Sequence, residues 1–214
     1  MINSIKRGVV LSCIAGLAFA SQNALASTTD QTYNLTILQT NDNHGRFWPN
    51  RNGEYGMAAR AALIQGIRDE VADNGGHTLL LSGGDINTGV PESDLQDAEP
   101  DFKGMNYMSY DAMALGNHEF DNPISVLRQQ HDWARFPFLS ANILNKDTGM
   151  PLFKSHEMFN LDGLKVAVVG FTTQDTVRIG NPEFLGGLEI QSPVEVAKKI
   201  IPELAANSDL VIAV

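Results

Sequence analysis

The sequence predicts an α/β protein built on an open sheet, and three observations carry that reading. Short apolar runs of strand length at 78–82 (TLLLS), 112–115 and 210–214 alternate with helix-length segments, of which 56–73 and the one opening at Ser192 are the clearest. The runs are continuously apolar, as expected of strands covered on both faces. The strand candidates at 32–39, 78–82 and 112–115 each end in a glycine-bearing turn that carries Asp, His or Asn, at the edge where open α/β sheets gather ligands.

In chain order, 32–39 (TYNLTILQ) is rich in β-formers and exits abruptly through Thr40-Asn41-Asp42-Asn43-His44-Gly45. Met57, Ala61, Ile64, Ile67 and Val71 recur at steps of three and four, and Gly75-Gly76 follows, which predicts an amphipathic helix over 56–73 with a glycine stop. The strand at 78–82 ends at Gly83-Gly84-Asp85. A helix begins near Pro100, and the strand at 112–115 leads into Gly116-Asn117-His118-Glu119. Pro123 marks a further helix start, with Ile124, Leu127 and Trp133 on its buried side. A short strand is expected at 138–141. Asp162-Gly163, between strands at 156–161 and 165–171, is the strongest hairpin signal in the chain. Ser192-Pro193-Val194-Glu195 is a capping box with proline at the first helical position, and Pro202 inside that helix should kink or shorten it. The run at 210–214 reads as a buried strand with no cap, turn or polar tail after it, so the chain reads as cut short. No internal repeat or low-complexity segment interrupts this order.

Composition narrows the function. With 214 residues, 43% of them hydrophobic and 19% charged, the chain is no disordered acidic tail. A net charge of -10 with no Lys/Arg cluster argues against nucleic-acid polymers as partners. A small anionic substrate would need positive charge from elsewhere, and a bound metal supplies it. Lys6 and Arg7, the apolar run 8–20 and Ala24-Leu25-Ala26 read together as a secretory signal over 1–26, with the mature chain beginning at Ser27. That run is shorter than the roughly 20 residues of a membrane span, and no later segment approaches that length, so the mature product is expected to be soluble. Cys13 falls in the removed segment and reads as a small apolar residue rather than a lipid-attachment site. The mature part then has no cysteine and no disulfide.

The chemistry lies in the three turns. Asp42 and His44 stand two apart, so in extended chain both point to one side and can grip one ion, although a turn aspartate beside a surface histidine is the commoner outcome for such a pair alone. Asp85 follows two glycines that permit close backbone approach, and its two oxygens can bridge two ions; a plain Gly-Asp turn is the structural alternative. Asn117 offers a neutral carbonyl oxygen as a ligand. His118 is free to donate to a phosphoryl oxygen, with Asp121 to orient its ring. This mixture of Asp, His and Asn donors suits Mn, Zn, Fe or Co better than an all-oxygen Ca or Mg cage. Taken in order on successive strand ends, the clusters point to a shared metal centre. His77, His131 and His156 read as structural. There is no G-x-S-x-G elbow, no phosphate loop with lysine and no mature cysteine, so nucleophilic and P-loop chemistries lack their residues.

These turns resemble the signature blocks of the calcineurin-like metallophosphoesterases, in their 5′-nucleotidase branch. The blocks are Thr40-Asn41-Asp42-Asn43-His44-Gly45, Ser82-Gly83-Gly84-Asp85 and Gly116-Asn117-His118-Glu119-Phe120-Asp121. The resemblance is closer to the bacterial periplasmic UDP-sugar hydrolases of that branch, through Gly53-Glu54-Tyr55-Gly56, the stretch 85–95 (DINTGVPESDL), Phe136-Pro137 and Ser140-Ala141-Asn142. It implies a four-layer α/β/β/α sandwich, incomplete at its C-terminus. Residues 27–214 would be the N-terminal part of the catalytic domain, and the C-terminal domain that grips the nucleoside would be absent. It implies two divalent ions, Zn, Mn or Co with Mg admissible. Asp42 and His44 would bind one, Asp85 would bridge both, Asn117 would bind the second, and His118 with Asp121 would form the catalytic dyad, Asn43 standing at the family's variable position. The family completes its site with two further histidine blocks and another ligand, and the chain stops before them. The implied function is a monomeric periplasmic hydrolase of nucleoside 5′-monophosphates and UDP-sugars. The alternatives are a 2′,3′-cyclic-nucleotide phosphodiesterase/3′-nucleotidase sharing the metal blocks, or a catalytically incompetent piece as the chain stands.

Overall fold

The computed structural model describes residues 31–214, so the predicted signal segment 1–26, with Cys13 and the cleavage point after Ala26, lies outside the described residues. The elements in chain order are β1 (Leu35–Thr40), α1 (Gly56–Asp73), β2 (His77–Ser82), α2 (Pro91–Asp94), α3 (Glu99–Tyr107), β3 (Ala112–Ala114), a 3-10 turn (His118–Phe120), α4 (Ile124–Trp133), β4 (Phe138–Leu139) and β5 (Ile143–Asn145). There follow β6 (His156–Leu161), β7 (Leu164–Val169), α5 (Thr176–Ile179), α6 (Pro182–Leu185), β8 (Leu188–Ile190), α7 (Pro193–Ala205) and β9 (Leu210–Ala213). β1 to β4 form one parallel sheet in chain order. A second sheet has the order β6-β7-β9, antiparallel between β6 and β7 and parallel between β7 and β9, and β5 pairs antiparallel with β8.

Side-chain alternation along the strands stacks these sheets into layers. Leu80, Met113 and Phe138 face α1, α3 and α4 and meet Met57, Ile64, Phe102, Met105 and Leu127. Their neighbours Leu79, Leu81, Ala112 and Leu139 face the other way and pack on Val166 and Val168 of the second sheet. Ala167 and Val169 of β7 point to the far side, against Leu204, Val196 and Ile200 of α7. The result is the predicted α/β/β/α sandwich, in which the strands are apolar throughout because both of their faces are covered.

Local signals account for most boundaries. The periodicity over 56–73 coincides with α1, and Asp162 (φ 51) and Gly163 (φ 107) both take the left-handed conformation that a two-residue hairpin turn requires. Ser192 accepts the backbone N–H of Glu195 at 3.5 Å, as the capping box predicts. Pro202 lies inside α7, which continues past it to Ala205. One expectation is corrected. The run at 210–214 forms an edge strand rather than a buried one: among the described residues β9 pairs with β7 alone, and Leu210 is 38% exposed. Pro123 is the cap residue before α4, at the helix start as expected. β5 and β8 carry no alternation or length from which a strand could be read, because each is three residues long.

The C-terminal ends of β2 and β3 are tied by one buried group. Glu119, 0% exposed, accepts the N–H of Asp85 and of Gly116 on Oε2, at 2.8 and 2.7 Å, and that of Ile86 on Oε1 at 2.8 Å. Burial pushes this carboxyl above the usual glutamate range, and the backbone donors from Asp85, Ile86 and Gly116 oppose that rise. Replacing Glu119 by Gln retains the shape but turns an NH₂ toward backbone N–H donors. We expect Glu119→Gln to lower stability by about 1–3 kcal/mol in urea unfolding, against less than about 0.5 kcal/mol for the surface change Glu203→Gln.

Candidate metal centre

Three loops, after β1, β2 and β3, meet above the parallel sheet. The first two are zipped backbone to backbone: Asp42 N–H donates to Gly84 O at 3.1 Å, His44 N–H to Asp85 O at 3.1 Å and Gly45 N–H to Ile86 O at 3.0 Å. The third is held by Glu119. The approach is close enough to exclude side chains at Gly84 and Gly116, since a Cβ would lie 2.2 Å from Gly116 N in the first case and 2.2 Å from Asp85 Oδ1 in the second. Asp42 (φ 52), His44 (φ 48) and Asp85 (φ 56) all lie in the left-handed region, so the extended geometry expected of the Asp42/His44 pair is not what brings them together. Two left-handed residues flanking Asn43 turn both side chains to the same side instead, with His44 Nε2 at 3.6 Å from Asp42 Oδ1.

Ligand atoms of His44, Asp85 and His118 lie within 4.8 Å of one another. The His44 and His118 rings sit edge to face, with centroids 4.7 Å apart. The His44 Nδ1 atom is 2.8 Å from Thr88 O, a carbonyl that can only accept, so Nδ1 carries the proton and Nε2 keeps its lone pair. Asp85 Oδ1 accepts the backbone N–H of His118 at 2.9 Å, which draws the third loop onto the second. Asp42 stands at the edge of the group, its side chain 57% exposed and its Oδ2 accepting from the Asn41 amide. Asn117 precedes the 3-10 turn, next to the Gly116 that abuts Asp85.

His118 Nδ1 lies 2.6 Å from Asp121 Oδ2, one 3-10 turn further on. Burial pulls this imidazole down, but the Asp121 hydrogen bond and the charges of Asp121, Asp85 and Glu119 outweigh it and hold the ring above the ordinary histidine value. The His44 imidazole and the Asp85 carboxylate, with the Asp42 carboxylate and the Asn117 amide oxygen beside them, make a mixed nitrogen and oxygen donor set that fits a divalent ion, while His118, held by Asp121, stands next to it.

The remaining histidines do not join this group. His77 Nε2 is 3.7 Å from Asp162 Oδ2, and His156 contacts Ser155 Oγ at 2.9 Å. His131, read from sequence as structural, packs against Phe138 and Phe153, and that burial lowers its pKa. Four residues that hold the loops were not singled out from sequence. Glu119 and Thr88 are two of them. Asn43, between two candidate ligands, is buried with its amide donating to Asp101 Oδ1 at 2.8 Å, and Asp101, itself 0% exposed, accepts from Ser93 Oγ at 2.6 Å. A charged residue beside a glycine-rich turn, as Glu119 is, was the one legible signal among them.

The family model of the calcineurin-like phosphoesterases matches residues 35–208. The chain is 58% identical over 216 residues to a 5′-nucleotidase of Vibrio parahaemolyticus, aligned over 100% of this chain, and 58% identical over 211 residues to the protein UshA of Escherichia coli, over 98% of it. It spans 38% of the length of each of these curated relatives. Among solved structures, a 5′-nucleotidase precursor from Thermus thermophilus superposes with a TM-score of 0.72 at 32% identity, over 84% of this chain and 36% of that one. With the family model matching residues 35–208, most of its length, this chain belongs to the calcineurin-like phosphoesterase family.

Proposed function

We propose that the chain carries the metal-binding core of a hydrolase that removes phosphate from nucleoside 5′-monophosphates and splits UDP-sugars. The observation that carries this reading is the convergence of His44, Asp85 and His118 at the ends of three parallel strands, with Asp121 behind His118. The identity to a protein named 5′-nucleotidase supports the nucleotide substrate, and the stretch 85–95 supports the UDP-sugar activity through the resemblance it carries. In this reading Asp42 and His44 would hold one ion and Asn117 a second, with Asp85 shared between them, and Zn, Mn or Co would suit the donors, with Mg admissible. Divalent ions bound there would acidify water and offset the charge of a phosphate group.

The chain's own residues do the rest. The Nδ1–H of His118 is committed to Asp121, so its Nε2 faces the centre. Its raised pKa favours a proton on Nε2, available to a phosphoryl or leaving-group oxygen. Asp121 fixes the ring's orientation and stabilises its charge. Glu119 holds the Asp85 and Gly116 backbones at the separation that both loops need. The protein acts in the periplasm after cleavage between Ala26 and Ser27, as a monomer, with residues 27–214 as the N-terminal part of its catalytic domain. Among the described residues no helix is long and apolar enough to cross a membrane.

Roles separate by calorimetry and kinetics. Asp85→Asn is expected to weaken Mn²⁺ and Zn²⁺ binding, because a bridging oxygen loses its charge, whereas His118→Ala keeps the metal and lowers turnover by roughly 10² to 10⁴. Loss of metal in the His118 variant would make that residue a ligand and overturn the dyad. Hydrolysis of AMP to adenosine and phosphate, and of UDP-glucose to UMP and glucose 1-phosphate, should exceed hydrolysis of 2′,3′-cyclic AMP; the reverse order would favour the cyclic-nucleotide alternative. Export is checked by mass spectrometry of the mature N-terminus, where Ser27 is expected and a lipid-modified Cys13 would refute it.

A further inference from the structure

Thr88 lies between the two histidines of the centre. We propose that Thr88 is a positioning residue, its carbonyl setting the tautomer of His44 and its hydroxyl anchoring the His118–Asp121 dyad. The inference rests on the roles given above to those three residues and assigns the group that holds them together.

The contacts are specific. Thr88 O takes the Nδ1 proton of His44 at 2.8 Å. Thr88 Oγ1 donates to Asp121 Oδ2 at 2.6 Å and lies 3.1 Å from His118 Nδ1, which is itself 2.6 Å from that same carboxylate oxygen. A hydroxyl has one proton, and here it is spent on Asp121, so Oγ1 faces His118 Nδ1 as an acceptor. Asp121 Oδ2 therefore receives one donor on each lone pair and cannot swing away from the ring. One residue thus leaves Nε2 as the free nitrogen on both imidazoles.

The backbone around Thr88 is built to keep it there. Its φ of 53 is a left-handed conformation, a strained one for a β-branched residue. The neighbours on both sides are locked. Asn87, 2% exposed, donates to His118 O at 3.3 Å and accepts from the buried Gln130 amide at 2.7 Å. At Gly89 a Cβ would fall 2.4 Å from His44 O, so this position must be glycine for the loop to close over His44. Strain held from both sides at a residue touching both histidines is what a positioning role requires, whereas a plain turn has no need of a threonine there.

The test compares Thr88→Val and Thr88→Ser in the full chain, with Thr88→Ala in place of the valine variant should that one not fold. Valine keeps the shape and the carbonyl but removes the hydroxyl; serine restores it. In the metal-free protein, ¹⁵N-histidine NMR should show Nδ1–H on His44 in all variants. The hydrogen-bonded Nδ1–H signal of His118 should be lost or broadened in the valine or alanine variant and return with serine. Calorimetry with Mn²⁺ should find the affinity changed by less than about 2-fold, and AMP turnover, where measurable, should drop about 10-fold with KM held and recover with serine. An unchanged His118 signal in a folded valine or alanine variant, or failure of serine to restore it, overturns the proposal. Failure of the wild-type chain to bind Mn²⁺ would refute the metal-centre reading instead, and the NMR comparison would still decide the role of Thr88.

Discussion

The carboxylate of Glu119, buried between two strand ends, is the interaction on which the rest of the site depends. Its oxygens accept three backbone N–H groups, from Asp85, Ile86 and Gly116, and so hold the exits of β2 and β3 in a single arrangement. The Asp85 backbone in turn accepts the His44 N–H, and its side chain accepts that of His118. His44, Asp85 and His118 are thereby referred to one buried carboxyl group. Hydrogen bonds from N–H groups to a carboxylate contribute about 1.5–3 kcal/mol each, and three of them offset a desolvation cost of several kcal/mol. Burial still holds the Glu119 carboxyl above the usual glutamate range, with the backbone donors opposing it.

A second constraint acts on the backbone. Asp42, His44, Asp85 and Thr88 all take φ near +50, which non-glycine residues adopt at a cost of about 1–3 kcal/mol each. Such conformations persist only where surroundings over-determine them. Here the surroundings are the zipped loops, glycines at the closest approaches, and a sheet whose two faces are both filled, by Leu80 and Phe138 toward the helices and Leu79, Leu81 and Leu139 toward the second sheet. The rigid four-layer core and the strained site are two sides of one energetic arrangement: burial of apolar strand faces stabilises the scaffold enough to hold loops that alone would relax.

The electrostatic character follows from the same packing. In a chain of net charge -10, the site gathers still more negative groups around His118. Asp85, Glu119 and Asp121 raise its pKa in spite of burial. Three carboxylates this close to two histidines form a region that favours cations, and that polarity would reconcile an acidic protein with the anionic phosphate substrate proposed above.

Much of the scaffold was legible in the sequence, because the longer strands and helices are specified by neighbours along the chain. Periodicity bounded α1, Asp162-Gly163 marked the hairpin from β6 to β7, and the capping box marked the start of α7. The Asp, His and Asn residues after β1, β2 and β3 were legible as candidate ligands because strand ends of a parallel sheet converge by topology. What escaped was whatever depended on a partner distant in sequence. β5 and β8 are too short to declare themselves and exist as strands because they pair with each other. The 210–214 run is apolar by composition, but whether a strand is central or at an edge depends on what lies beside it. Composition and local pattern by themselves determined the α/β class, the strand ends and the types of donor. Only the tertiary structure decided that Glu119 and Asp101 would be buried, that Thr88 would stand between His44 and His118, and that the Asp42/His44 pair would meet through left-handed turns, since hydrogen bonds across 30 or more residues and the strain they hold leave no periodicity in the chain.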